Sequence, residues 1–335
     1  MQNNDAALVL LPSNFGDVLL TLPALMHLLD DHPSIDAVVS QQTSAFVHAL
    51  PFVRAVYPYD KRLTIEEKTK FFFEKRGKYK TFIDFRHTFA AWAVGARFSS
   101  PVVRDEWKGH KAEGYAHLVA QTFGRKNIPS LYLTKERKFF QLRSELNSAI
   151  CGKAVFVVPS SRSDLKIYPA EMFAAFLGQL AGMHQVVLIG GAEDIGVSMR
   201  LRALLPDSLS VVDLTGKTTF GDVFVLLQRH ALCMVTGDTA PMHAASFLNI
   251  PTLALFGPTD PVRYGPYAEG SAVIRAQVSC AGCMASVCPK KQRCMATIDP
   301  KDVYSAFQNV MPSFKCDESF KYVSSKVVEL PKRFR

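Results

Sequence analysis

Two aspartates, a lysine, a threonine and a histidine give this chain its strongest chemical signals. Each falls where a strand-like run gives way to a helix-like one. In "VTGDTAPMHAASFLNIPTLALFGPTDP", residues 235–261, a strand-like run stops at Gly237, Asp238 and Thr239, and Pro241 follows. Proline suits a first helical turn, where its missing N–H costs nothing. The free amides around Thr239, Ala240, Met242 and His243 then point at whatever binds, and a helix start of this kind attracts anions. His243 can donate to a phosphate oxygen, and Asp238 can accept from sugar hydroxyls.

"LLPSNFGDVLLTLPAL" puts Asn14, Phe15, Gly16 and Asp17 at the carboxyl end of the first strand, the edge on which open α/β sheets hold ligands. It has no G-x-G-x-x-G, so the dinucleotide fingerprint is absent. Asp17 reads either as a helix N-cap or as a general base that takes a proton from an attacking hydroxyl. "VVPSSRSDLKIYPAEMF" offers the hydroxyls of Ser160 and Ser161 and the point charge of Lys166 to a phosphate; the alternative is a solvated polar loop. In "VLIGGAEDIGVSM", Glu193 either accepts from ribose hydroxyls or complements a helix dipole. Thr215 and Gly216 of "VVDLTGKTTF" could wall a nucleotide base. Cys280, Cys283, Cys288 and Cys294 have the spacing C-x2-C-x4-C-x5-C, which suits zinc or iron or belongs to unmetallated thiols.

The elements that must position these groups alternate strand and helix throughout, then restart near Lys153. That predicts two Rossmann-like α/β domains with parallel sheets facing across a cleft, spanning 1–150 and 151–335. The last helix, "DPKDVYSAFQNVM", is expected to pack back on the N-terminal domain. "KRLTIEEKTKFFFEKRGKYK" reads as a basic helix in which Lys61, Arg62, Lys75, Arg76 and Lys78 meet anionic groups. Its alternative is a solvated helix with a Phe core.

The formal charge of +9 over 335 residues, with a pI near 9.2, favours anionic partners. No zinc-finger spacing, recognition helix or aromatic platform supports nucleic acid. The opening is too polar for a signal peptide, and no run reaches the ~18 apolar residues of a membrane span. Seven cysteines, an odd number, suit a reduced compartment. The expectation is a cytoplasmic protein with peripheral contact at the inner membrane face.

On "GDVLLTLPAL", "DTAPMHAASFLNIPTLALFGPTDPVRYGP" and "CAGCMASVCPKKQRCMATIDPKDV", which span residues 16–303, the chain resembles glycosyltransferase family 9. That family holds the ADP-heptose:lipopolysaccharide heptosyltransferases, and the Cys-rich end is most similar to the heptosyltransferase II type. The resemblance implies a GT-B fold, with acceptor on the N-terminal domain and nucleotide-sugar on the C-terminal one. It implies inverting, metal-independent transfer of heptose from ADP-L-glycero-D-manno-heptose to the lipopolysaccharide inner core, Kdo-lipid A or heptosyl-Kdo-lipid A, with no cofactor required. By motif, Asp17 matches the base, with Asn14 beside it on the acceptor side. Lys166 matches the donor-phosphate lysine, Asp238, Thr239 and His243 match the donor site, and Glu193 matches the acid near the ribose. The family has Gly where this chain has Ala240. Two other readings stand beside this one: transfer to a protein hydroxyl or another surface glycan, and a non-catalytic nucleotide-binding relative.

Overall fold

The computed structural model describes residues 5–60, 62–102, 107–125, 131, 140, 146, 149–310 and 326–329. The chain divides into two compact units, residues 1–140 and 141–335.

The N-terminal unit is built on five parallel strands. They are β1 (Ala7–Leu10), β2 (Ile35–Val39), β3 (Val53–Pro58), β4 (Thr81–Asp84) and β5 (Phe98–Ser99), in the order β3-β2-β1-β4-β5. Every residue of β1, β2 and β4 is buried. Such unbroken burial is what a parallel sheet covered on both faces requires. Its helices are α1 (Phe15–Leu28), α2 (Gln41–His48), α3 (Ile65–Phe73), α4 (Ala90–Val94) and α5 (Lys111–Thr122). The strand order reverses between β1 and β4, and a doubly wound sheet opens a crevice at that reversal.

The basic stretch 61–80 is helical only over α3. A reciprocal cap between Thr64 and Glu67 starts that helix, and a turn through Gly77, at φ +70°, follows it. Phe72 is core and Phe71 packs against it, but Phe73 is exposed.

The C-terminal unit carries seven parallel strands: β6 (Ala154–Val158), β7 (Val186–Leu188), β8 (Val211–Asp213), β9 (Ala231–Thr236), β10 (Thr252–Leu255), β11 (Ala272–Arg275) and β12 (Lys326–Glu329). Their order is β12-β11-β10-β9-β6-β7-β8. Here the reversal lies between β6 and β9. Strand β12 is an element the sequence reading did not include. The helices are α6 (Ala170–Leu177), α7 (Ile195–Arg202), α8 (Phe220–His230), α9 (Ala240–Phe247), α10 (Pro261–Tyr264), α11 (Arg293–Ala296) and α12 (Pro300–Val310).

Helix α12 packs on the sheet of the C-terminal unit. Its apolar face, Val303, Ala306, Phe307 and Val310, is buried in the core of its own unit. The Phe307 ring stands edge-on to Phe176 of α6 at 5.7 Å. Burial of one such side chain contributes roughly 2–3 kcal/mol.

Candidate functional site

Both sheets place polar groups at their strand-order reversals. In the C-terminal unit the reversal brings together the ends of β6 and β9. After β6, Pro159 and a buried Ser160 lead into a short 3-10 turn, Asp164–Lys166. After β9, Gly237 passes so close to the preceding loop that a Cβ there would lie 3.2 Å from the Lys166 carbonyl oxygen. That close approach lets Lys166 Nζ donate to Asp238 Oδ2 at 2.6 Å, across 72 residues of sequence. On the other side of the carboxylate, His243 Nε2 is 3.6 Å from Asp238 Oδ1.

Burial alone would push the Asp238 carboxyl up, but the His243 ring and the Lys166 ammonium outweigh it and hold the group at about 2. Asp238 therefore stays ionised and fixes both partners. The linkage has a definite sign. The folded value lies below the unfolded value near 4, so the contribution is complete above about pH 4 and is lost as pH falls through about 2. Urea unfolding across that window should show on the order of 2 kcal/mol of stability disappearing, and Asp238→Asn should flatten that part of the profile.

Helix α9 opens at this point. Its N-cap Thr239 makes no side-chain cap bond to the helix; the hydroxyl instead meets Thr236 Oγ1 at 2.9 Å. Ala240 and Met242 offer first-turn amides, whereas the His243 amide, read in sequence as free, donates to the Thr239 carbonyl at 3.4 Å. The Met242 side chain is fully buried with Ala254, Phe256 and Val273, so only its backbone can contribute. The His243 ring is buried, and among the described residues its Nδ1 has no hydrogen-bond partner. With Nε2–H turned to Asp238, a neutral ring presents Nδ1 as an acceptor, and a protonated ring presents it as a donor. An orphaned buried ring nitrogen beside a helix start is an opening for a ligand. Thr259, in the loop after β10, has a buried Oγ1 that is also without a partner among the described residues, and the sequence reading passed it over.

The neighbouring strand ends are tied to each other. Thr215 donates its hydroxyl to Ser198 at 3.1 Å, and the Gly216 amide donates to the Gly190 carbonyl. Gly216 has φ +73°, and a Cβ there would press on Ile195. These residues form a fixed wall rather than a set of free donors. Glu193 is exposed in the short turn before α7.

In the N-terminal unit the reversal joins the ends of β1 and β4. Asn14, not Asp17, occupies the N-cap of α1, which corrects the capping alternative for Asp17. The Asp17 carboxylate takes a hydrogen bond from Lys111 Nζ at 2.9 Å on Oδ1 and a weaker one from Asn14 Nδ2 at 3.3 Å on Oδ2. Lys111 opens α5, 94 residues away, and was not foreseen. Nor were Arg86 and His87, just past β4. Asp84 accepts from the amides of Arg86 and Thr88 and from the Thr88 hydroxyl. Around that knot, Arg86 Nε donates to the Leu11 carbonyl at 2.6 Å, and His87 adopts φ +54°, a strained conformation of the kind found at functional sites. Arg86 Nη2 and His87 Nδ1 are both buried without partners among the described residues.

The basic segment does not supply the expected row of free cations. Lys75 is buried over the Tyr57 ring at 3.7 Å and the Phe71 ring at 4.5 Å, and burial lowers its pKa. Arg62 is paired with Asp60, Arg76 lies over Phe73, Lys78 is exposed, and Lys61 lies outside the described residues. Cys280, Cys283, Cys288 and Cys294 are free thiols, with Cys294 pushed up by burial and by the other three. Among the described residues no group of three or more His, Cys, Asp or Glu is placed to hold a metal ion.

A family model described as glycosyltransferase family 9 (heptosyltransferase) matches residues 72–293. The chain belongs to glycosyltransferase family 9. The match covers most of the C-terminal site, including Lys166, Asp238 and His243. Among curated relatives of this family 9 chain, lipopolysaccharide heptosyltransferase 3 of Escherichia coli is 26% identical over 287 residues, 76% of this chain and 84% of that one. Lipooligosaccharide heptosyltransferase 2 of Campylobacter jejuni is 27% identical over 158 residues, 45% of this chain, and that match spans only about half of the relative, 49%. Two solved Escherichia coli structures share the fold. ADP-heptose lipopolysaccharide heptosyltransferase II has a TM-score of 0.69 at 20% identity, over 93% of this chain and 100% of that one. The heptosyltransferase WaaC with ADP has a TM-score of 0.68 at 21% identity, over 91% and 99%. The family 9 chain is thus a GT-B protein whose two parallel-sheet units are both Rossmann-like.

Proposed function

We propose that this family 9 chain transfers heptose from ADP-L-glycero-D-manno-heptose to the lipopolysaccharide inner core with inversion. The observation that carries the reading is the C-terminal cluster: a helix start with first-turn amides, an ammonium 2.6 Å from the Asp238 carboxylate, and a buried histidine nitrogen without a partner among the described residues. The helix amides and the ammonium offer directed donors to a diphosphate, and the His243 ring adds one in its protonated form. The charge on that diphosphate grows as the sugar departs, and fixed donors stabilise such a transition state without reorganising.

In the proposed reaction the acceptor hydroxyl gives its proton to Asp17 while its oxygen attacks the anomeric carbon. The bond from that carbon to the diphosphate oxygen breaks, and ADP leaves with the electron pair. Lys111 holds Asp17 Oδ1, which leaves the more weakly held Oδ2 to receive the proton. Arg86 and His87, at the adjacent strand end, are suited to the anionic groups of a core acceptor. No helix among the described residues is long and apolar enough to cross a membrane. A nucleotide-sugar donor and a lipid-linked acceptor place the proposed reaction at the cytoplasmic face of the inner membrane.

Incubation with ADP-heptose and a heptose-deficient core acceptor, read by mass spectrometry, tests the reading. The expected product carries one added heptose. ADP binding with no transfer to any core acceptor would contradict it.

A further inference from the structure

The corner of the N-terminal unit formed by α3 and α4 exposes aromatic side chains that its core does not use. Phe89 is 83% exposed, Trp92 71% and Phe73 39%. They lie close together. The Phe73 and Trp92 rings meet edge-on at 5.4 Å, and Phe89, the N-cap of α4, accepts a hydrogen bond at its carbonyl from the Trp92 amide. The Arg76 guanidinium lies over Phe73 at 5.3 Å and donates to the Trp92 carbonyl at 3.4 Å. Lys70, one turn before Phe73, and Lys78, just past the Gly77 turn, are both exposed. Residues 61–80 hold eight Lys and Arg against three Glu.

A contiguous aromatic patch on a soluble domain marks an interaction surface. Its chemistry selects the partner. Trp and Phe carry flat apolar bodies that settle at the headgroup level of a bilayer, and a basic rim adds attraction to anionic lipid. The same rim works against a second copy of this chain, whose matching corner would bring like charges together.

We propose that this corner docks the protein on a membrane surface rich in anionic headgroups. Phe73, Phe89 and Trp92 enter the headgroup layer, and Lys70, Arg76 and Lys78 face lipid phosphates. The inference does not rest on the sugar-transfer reading, and either can fail without the other.

The test uses the full chain with phosphatidylcholine vesicles, with and without phosphatidylglycerol. The protein should pellet with the anionic vesicles and lose that binding as salt rises. Phe89→Ser/Trp92→Ser should weaken it by about tenfold or more, with unchanged melting temperature, because both side chains are exposed. Trp92 emission should shift to the blue on anionic vesicles. Trp92→Phe, which keeps Trp107 as its only tryptophan, should show no shift. No pelleting with anionic vesicles at low salt would overturn the proposal, as would equal binding by the double variant. A dimer in size-exclusion chromatography that the double variant abolishes would overturn it in favour of a second copy.

Discussion

Asp17→Asn is expected to lower kcat by about 10³-fold, the scale of a lost general base, with little change in donor KM. Asparagine keeps the shape of the side chain and its hydrogen-bonding reach, but it cannot take a proton. The fold should survive, because the Asp17–Lys111 pair is partly exposed on both sides and such pairs contribute at most about 1 kcal/mol. Purified variant should therefore melt within a few degrees of the parent while turnover collapses. Arg86→Gln makes a useful companion. It leaves Asp17 in place and removes a guanidinium with one nitrogen unpartnered among the described residues, so its effect should appear as a raised acceptor KM with kcat largely kept. If Asp17→Asn retained parental turnover, the base assignment would be wrong.

The second large effect is expected at Lys166. Removing its ammonium by Lys166→Met should lower kcat/KM by about 10²–10³-fold, the loss seen when one fixed donor to a developing negative charge is deleted. This change also strips Asp238 of a charged partner, and an uncompensated buried carboxylate is costly, so some loss of stability should accompany it. Lys166→Arg separates the two effects. It keeps the charge beside Asp238 and so should keep the melting temperature, but a planar guanidinium does not present its charge as a compact ammonium does. Activity should therefore recover only in part. Full activity in Lys166→Met would remove the lysine from the chemistry.

Much of this architecture is legible in the sequence because local punctuation marks it. Parallel strands buried on both faces read as apolar runs such as "AVFVV", and the residues that end them, Asn14 to Asp17, Ser160 and Gly237 to His243, announce themselves through Gly, Pro and short polar side chains. Doubly wound topology then brings two of those ends together, which is why Lys166 and Asp238 meet across 72 residues.

What stayed hidden depends on contacts with no local mark. Lys111 reaches Asp17 from the start of a helix 94 residues away. Arg86 and His87 follow β4 without a glycine or proline to signal a turn, because Asp84 ties that turn through its own carboxylate. Lys75 sits among basic residues in sequence, yet its ammonium finds the faces of Tyr57 and Phe71. Charge pattern alone could not separate it from solvated Lys78. The amphipathic face of α12 does read correctly as apolar, but the core it enters is set by the sheet of its own unit.

The central claim is that the start of α9, with Lys166 and His243, grips a diphosphate. The most direct measurement is a crystal structure of the protein with ADP. The account predicts phosphate oxygens within hydrogen-bond distance of the Ala240 or Met242 amide and of Lys166 Nζ, with His243 Nδ1 newly partnered by the ligand. ADP bound elsewhere on the chain, with that helix start and that ring nitrogen left untouched, would contradict it.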